Sequence, residues 1–187
     1  VMDIKIGGNL FRLGKPFAEG GEARVYKIGD HTAAKIYKLP SDPDVKDDPL
    51  ALAAARIRLV VAQRKLPFVP RDLPASIVTP NALVRDPGSG FVIGFTMPLV
   101  KARSTLADLR VASPNVSDCD IIGMFSELRL ALRMLHMRGI VLGDFNDRNV
   151  LIAENGSPRI IDIDSAQFAP FRTKVFTPEF VDPDLCR

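Results

Sequence analysis

Three short stretches carry the residues best suited to chemistry. Gly143-Asp144-Phe145-Asn146-Asp147-Arg148-Asn149 sets a carboxylate and an amide five residues apart, at 144 and 149. On a loop that enters an apolar run, Asp144 can accept a proton from a hydroxyl, and the Asn149 amide oxygen can ligate magnesium. Further on, Asp162-Ile163-Asp164 supplies two carboxylates, the hard oxygen ligands magnesium takes when it bridges phosphates. Near the N-terminus, Ala18-Glu19-Gly20-Gly21-Glu22-Ala23-Arg24-Val25-Tyr26 precedes Lys35. Glycines in a strand-turn-strand let backbone N–H groups approach phosphates with no Cβ in the way. A glycine pair alone is equally an ordinary hairpin turn, and Lys35, within Thr32-Ala33-Ala34-Lys35, gives it weight. Each stretch by itself could be solvated loop polarity. Their succession along one chain is hard to reach by chance.

The elements that must position these residues fall in a definite order. Residues 9–13, 25–28 and 32–37 read as short strands, the last two joined by a turn at Gly29-Asp30-His31. Ser41-Asp42-Pro43-Asp44 through Asp48-Pro49 reads as a loop flowing into a helix over residues 50–65, rich in Ala and Leu and stopped by Pro67 and Pro70. Two more strands are expected at 82–85 and 91–97, joined by Asp86-Pro87-Gly88-Ser89-Gly90. Apolar residues at 121, 122, 125, 128, 132 and 135 predict a helix over 118–137, with Gly139 just past its end. Apolar runs at 150–153 and 159–163, separated by Glu154-Asn155-Gly156, predict a hairpin, with the acidic pair at the end of its second strand. This is an α+β layout of two parts, crossing near residues 97–101.

Composition narrows the classes. The 187 residues are 47% hydrophobic, yet no apolar run reaches the roughly 20 residues that span a bilayer. Val1-Met2-Asp3-Ile4-Lys5 has no basic segment followed by an apolar one, so no secretory signal is expected and the localisation expected is cytoplasmic, without a membrane partner. Cys119 and Cys186 are too few for a disulfide framework, and with His31 and His136 they form no zinc spacing. The charge of +3 is scattered rather than striped, which suits an anionic ligand and marks no specific nucleic-acid surface. His136 reads as structural, an imidazole at a helix C-terminus.

On these motifs the chain resembles eukaryotic-like Ser/Thr protein kinases, and more closely a bacterial group of protein-kinase-like domains. That group has a Gly-Gly-Glu loop, a hinge like Gly94-Phe95-Thr96-Met97-Pro98 and a metal motif like Ile161-Asp162-Ile163-Asp164-Ser165. The likeness runs over about residues 10–185, and the stretch from Leu135-His136 to Leu151-Ile152 is its most specific part. It implies a protein-kinase-like two-lobe fold: residues 1–97 as a β-rich N-lobe with one helix, and residues 98–187 as hinge and partial, mainly helical C-lobe. It implies ATP and magnesium as cofactors. Gly20 and Gly21 would cover the phosphates, Val25 and Ala33 would enclose the adenine, and Lys35 would reach the α- and β-phosphates. The hinge would run from Met97 through Leu99 to Val100, with Leu151 closing the pocket from below. Asp144 would be the catalytic base or hydroxyl-orienting group, Asn149 a metal ligand and Asp162, thirteen residues further on, the main metal ligand, with Asp164 the second choice. Thr177-Pro178-Glu179-Phe180 through Pro183-Asp184 resembles the end of an activation segment.

The sequence departs from that pattern at four places. Ala18 and Ala23 stand where the first and third loop glycines are expected, and Leu142-Gly143 replaces the His-Arg before the catalytic Asp. Asn146 replaces a lysine, and residues 50–65 contain no acidic residue to pair with the phosphate-binding lysine. Without an arginine beside Asp144, phospho-activation through that arginine is not expected. Further helices would follow the activation segment in a whole kinase, so the chain is expected to be part of a longer polypeptide. The expected function is an ATP- and Mg-dependent phosphotransferase acting on Ser or Thr hydroxyls, with a nucleotide and a protein substrate or partner. The alternatives are a pseudokinase serving as a nucleotide-binding or interaction module, and a small-molecule kinase, to which the Gly143-Asp144 dipeptide is also suited.

Overall fold

The structure, a computed structural model, describes residues 2–112, 116–173 and 177. Contacts divide the chain into two compact units, Val1–Arg71 with Pro80–Leu99 and Asp72–Thr79 with Val100–Arg187.

The first unit is a seven-stranded sheet with one helix. Its strands are β1 (Met2–Ile6), β2 (Asn9–Leu13), β3 (Ala18–Glu19), β4 (Ala23–Lys27), β5 (Thr32–Tyr37), β6 (Leu83–Arg85) and β7 (Val92–Pro98). They pair antiparallel in the order β2-β1-β6-β7-β5-β4-β3. Side chains alternate between the two faces of a strand. Ala34 and Ile36 of β5 therefore join Ile4, Leu13, Tyr26, Val84 and Ile93 in one buried apolar cluster. Ala33, Lys35 and Tyr37 take the opposite face, and they too are buried. Each fully buried Ile, Leu or Val in the cluster is worth roughly 1.5–3 kcal/mol.

The β5–β7 pairing carries the phosphate-binding candidate. Lys35 sits opposite Val25 on one side and Phe95 on the other, and Ile36 sits opposite Gly94. A Cβ at Gly94 would lie 2.1 Å from the Lys35 carbonyl oxygen and 3.0 Å from the Ile36 Cα, so only glycine allows this approach.

The helix α1 (Pro49–Lys65) starts where the sequence said it would. The Asp48 side chain accepts from the N–H groups of Leu50 (2.8 Å) and Ala51 (3.3 Å), and Pro49 takes the first helical position. Gln63 fastens the helix to β7: its amide nitrogen donates to the Val92 carbonyl (2.7 Å), and its oxygen accepts from the Val92 N–H (2.9 Å).

The second unit contains β8 (Ala102–Thr105), α2 (Leu109–Ala112), α3 (Asp118–Met137), β9 (Val150–Ala153) and β10 (Pro158–Ile160). The three strands form an antiparallel sheet in the order β10-β9-β8. Residues 72–79 are tied to β10: the Val78 N–H donates to the Ile160 carbonyl (2.8 Å), and the Ile160 N–H to the Ser76 carbonyl (2.7 Å). Ser117 and Asp120 form a reciprocal capping box at the start of α3. Met124, Leu128, Ala131 and Leu135 are its buried stripe. The β9–β10 turn has Gly156 at φ +85°, as an Asn-Gly hairpin requires.

Two sequence expectations change. Strands at Met2–Ile6 and Ala102–Thr105 are not expected from the sequence; both are short, and β8 pairs with β9. The strand expected over 159–163 ends at Ile160, because Asp162 turns the chain into the left-handed region (φ 64°) and a 3-10 turn, Ile163–Ser165, follows. The acidic pair therefore sits beyond the strand, on a turn. Of the expected activation-segment end, residues 178–184 lie outside the described residues, as does Cys186; Cys119 is an exposed free thiol. Among the described residues no helix is long and apolar enough to cross a membrane.

Candidate active site

In the first unit, β3 and β4 form the hairpin that carries Gly20 and Gly21 at its turn. The Gly20 N–H closes the turn on the Ala23 carbonyl (2.9 Å), and Ala18 pairs with Val25. The Lys35 ammonium lies 5.8 Å from the centre of the Phe95 ring, over its face, where the ring quadrupole favours a cation. Ala33 is flanked by Lys27 and Met97. Leu99 gives its N–H to the His31 carbonyl (2.9 Å). Gly20, Gly21, Val25, Ala33, Lys35, Met97 and Leu99 thus belong to adjoining strands of one sheet and their connections.

A network of charge ties the same hairpin down. Arg24 bonds the carboxylates of Asp42, Asp44 (2.7 Å) and Glu19 (3.0 Å). Lys38, nearly buried, bonds Glu19 (2.9 Å) and Asp44 (2.8 Å). On the α1 side, Arg58 bonds Glu22 (2.6 Å). The Asp42 hydrogen bond raises the Arg24 pKa, and the bonds from Asp44 and Glu19 raise that of Lys38. The Lys38 bond holds Asp44 below the usual carboxylate range. Burial pushes Asp42 up, but the Arg24 bond and the Asp44 N–H outweigh it, and Asp42 too sits low.

In the second unit the loop after α3 gathers a compact polar cluster. Asp144 Oδ1 accepts from the Thr177 hydroxyl (2.5 Å) and from the Asn146 amide (3.1 Å). The Asn149 amide nitrogen donates to the Asp144 backbone carbonyl (2.7 Å) and to its Oδ2 (3.2 Å), which turns the acceptor end of that amide outward from the aspartate. Asn146 accepts from the N–H groups of Arg148 and Asn149, both at 3.0 Å, and caps the 3-10 turn Asp147–Asn149. That is why an asparagine rather than a lysine stands there: its side chain builds the loop.

The Asp162-Ile163-Asp164 segment is joined to this loop twice. The Ile161 N–H donates to the Asn149 carbonyl (2.9 Å). Ser165 donates its hydroxyl to the Asp162 carbonyl (2.9 Å) and accepts from the Asp144 N–H (3.3 Å). One hydroxyl therefore links the two acidic segments, and Asp162 holds a left-handed backbone that a non-glycine residue adopts only when its surroundings require it. Leu151, half-buried on β9, pairs with Thr105 and Arg159, and Asp164 lies within the 3-10 turn.

Within this unit Asp144 and Asn149 are in direct contact, and Asp162 is one serine away. The bridging role of Ser165 was missed, although its spacing from Asp162 is that of a serine closing a turn on a carbonyl three residues back. The Thr177 contact was missed as well, and nothing in the local sequence signals it. Among the described residues no three His, Cys, Asp or Glu side chains gather as a metal cage. Magnesium bound through one or two carboxylates and phosphate oxygens needs no such cage, so this donor set fits it.

The fold is similar to that of protein-kinase domains. No established family profile matches the chain. Protein kinase YegI of Escherichia coli K12 is 27% identical over 190 residues, which cover 95% of this chain and 27% of that protein. Serine/threonine-protein kinase ppk6 of Schizosaccharomyces pombe is 33% identical over 85 residues, 44% of this chain and 11% of that one. Serine/threonine-protein kinase OXI1 of Arabidopsis thaliana is 35% identical over 94 residues, 49% of this chain and 22% of that one. Among solved structures, the apo form of PpkA-294 superposes with a TM-score of 0.62 at 19% identity, over 82% of this chain and 58% of that one. The chain thus spans about a quarter of the curated relative it matches along most of its length. Along most of its length the chain is similar to a bacterial protein kinase, and its fold is protein-kinase-like.

Proposed function

We propose that the chain is an ATP- and magnesium-dependent phosphotransferase acting on the hydroxyl of a Ser or Thr side chain in a protein. Asp144 orients the acceptor hydroxyl and takes its proton. Asn149 and Asp162 hold magnesium, with Asp164 as the alternative ligand. Magnesium, when bound, bridges the phosphate oxygens and neutralises the charge that develops during transfer. Lys35 meets the α- and β-phosphates, Gly20 and Gly21 cover them with backbone N–H groups, and Val25, Ala33, Met97, Leu99 and Leu151 enclose the adenine. Catalysis then rests on positioning and electrostatic stabilisation, with no covalent intermediate.

One observation carries this reading. Asp144 already accepts a threonine hydroxyl at 2.5 Å, the contact a phosphoryl acceptor needs. The test is transfer of labelled phosphate from ATP to the chain itself or to a generic Ser/Thr protein, with and without magnesium. Asp144→Ala should abolish transfer and leave ATP affinity within a few-fold. Unchanged turnover in that variant refutes the role.

Two observations favour a second reading, a pseudokinase that binds nucleotide without transferring phosphate. The helix α1 has no acidic side chain, and Asn146 is committed to capping its own loop. Magnesium-dependent ATP binding in a thermal-shift titration, with no phosphate transferred to any acceptor, would decide for it.

A further inference from the structure

A loop that covers phosphates is a poor place for carboxylates, yet this one carries Glu19 and Glu22 on either side of its glycines. Like charges repel, and a triphosphate beside two free carboxylates would be bound less tightly. The structure places cations beside both carboxylates. Glu19 is shared by Arg24 and Lys38. Glu22 takes Arg58, which comes from the helix and is mostly shielded from solvent at 18% exposure, while Glu22 itself is 71% exposed. The Lys38 N–H also donates to the Glu22 carbonyl (2.9 Å), so the loop is pinned through backbone as well as side chain.

The arrangement inverts the usual division of charge, in which a helix acid meets a strand lysine. Here α1 contributes a cation and the loop contributes the acid. We propose that Arg58 is a positioning residue for nucleotide binding: it acts through Glu22, neutralising the loop carboxylate and coupling α1 to the phosphate-covering turn. This deepens the phosphotransferase reading and rests on it. Arg58 touches neither nucleotide nor acceptor. Its effect falls on affinity for ATP rather than on the transfer step.

The distinguishing property is how the pair behaves when broken. If Arg58 only braced the fold, removing Glu22 as well would leave the damage or add to it. If its task is to cancel a charge, removing the charge should cure the loss of the cation. The experiment measures binding of a fluorescent non-hydrolysable ATP analogue with magnesium to the full chain at low salt. Arg58→Met should weaken binding about five-fold, the order expected when one uncompensated charge lies near the phosphates. The loss should shrink at high salt, as screening requires. Adding Glu22→Gln should bring affinity back to within about two-fold of wild type, a coupling that independent sites do not show. Should Arg58→Met fail to fold, as judged by its melting curve, the exchanged pair Arg58→Glu with Glu22→Arg is measured instead, and it too should bind near wild type.

A double variant no better than Arg58→Met, or a loss insensitive to salt, overturns the proposal while leaving the phosphotransferase reading intact. So does wild-type affinity in Arg58→Met. A wild-type chain that binds no nucleotide overturns both, and that outcome is recognised before any variant is made.

Discussion

Gly94→Ala should be among the most damaging single-methyl additions this chain can receive. The new Cβ would stand 2.1 Å from the Lys35 carbonyl oxygen, 3.0 Å from the Lys35 carbonyl carbon and 3.0 Å from the Ile36 Cα. All three are backbone atoms of the central strand pair, and no rotamer change can relieve the overlap. Restoring an ordinary separation requires β5 and β7 to part by about 1 Å, which lengthens the ladder where Lys35 faces Phe95 and Ile36 faces Gly94. Overpacking costs roughly 1–3 kcal/mol, and a weakened ladder hydrogen bond adds about 0.5–1.5 kcal/mol. The expected loss is therefore about 2–4 kcal/mol, read as a lower urea midpoint by circular dichroism with the slope unchanged. Gly21→Ala is the control, since a Cβ there meets nothing within 4 Å; its midpoint should move by less than about 0.5 kcal/mol equivalent. If the two variants unfold alike, the close approach of β5 and β7 is not what holds Gly94, and the reasoning fails. Because the displaced carbonyl belongs to Lys35, nucleotide affinity should fall in Gly94→Ala even where the protein remains folded.

Four further outcomes are expected. Leu135→Ala, at a fully buried site on α3, should lose about 2–5 kcal/mol in the same urea assay. Asp42 and Asp44 have folded pKa values below their unfolded ones, so their contribution is present above the unfolded value near 4 and is lost as pH falls through the folded value. Melting temperature should show no step from these groups between about pH 5 and 8, then drop below about pH 4, and Asp42→Asn should blunt that acid drop. Ser165→Ala breaks the link between Asp144 and Asp162 and should cost about 1–2 kcal/mol of stability, together with a fall in phosphate transfer under saturating ATP. Thr177→Val leaves the Asp144 carboxylate without its shortest partner; transfer should slow by roughly ten-fold or more, for a lost hydrogen bond to a charged group, while the affinity of the ATP analogue stays unchanged.

Local information carried most of the element boundaries. Asp48-Pro49 ahead of an Ala- and Leu-rich run, apolar spacing through Leu135 and Asn155-Gly156 between two apolar runs each depend on neighbours within a few residues, and such interactions are written in order along the chain. The same holds for Asp144 and Asn149, whose contact closes within five residues. The weak spots were also local failures of that kind of signal. The strand β8 is four residues long and exists because β9 pairs with it, and the β10 run was overextended because the left-handed turn at Asp162 has no glycine to announce it.

What the chain alone determined was the order of the candidate residues, the glycine turn, Lys35, Asp144, Asn149 and Asp162, each set on or after a recognisable strand or helix. What only the tertiary structure decided was which side chains meet across long separations. Thr177 reaches Asp144 over 33 residues, Ser165 joins its backbone over 21, and Arg58 finds Glu22 from a helix whose lack of acids had read simply as a deficit. Contacts of that length depend on how whole elements pack and on which charges must be cancelled once they do, and no periodicity in the sequence encodes either.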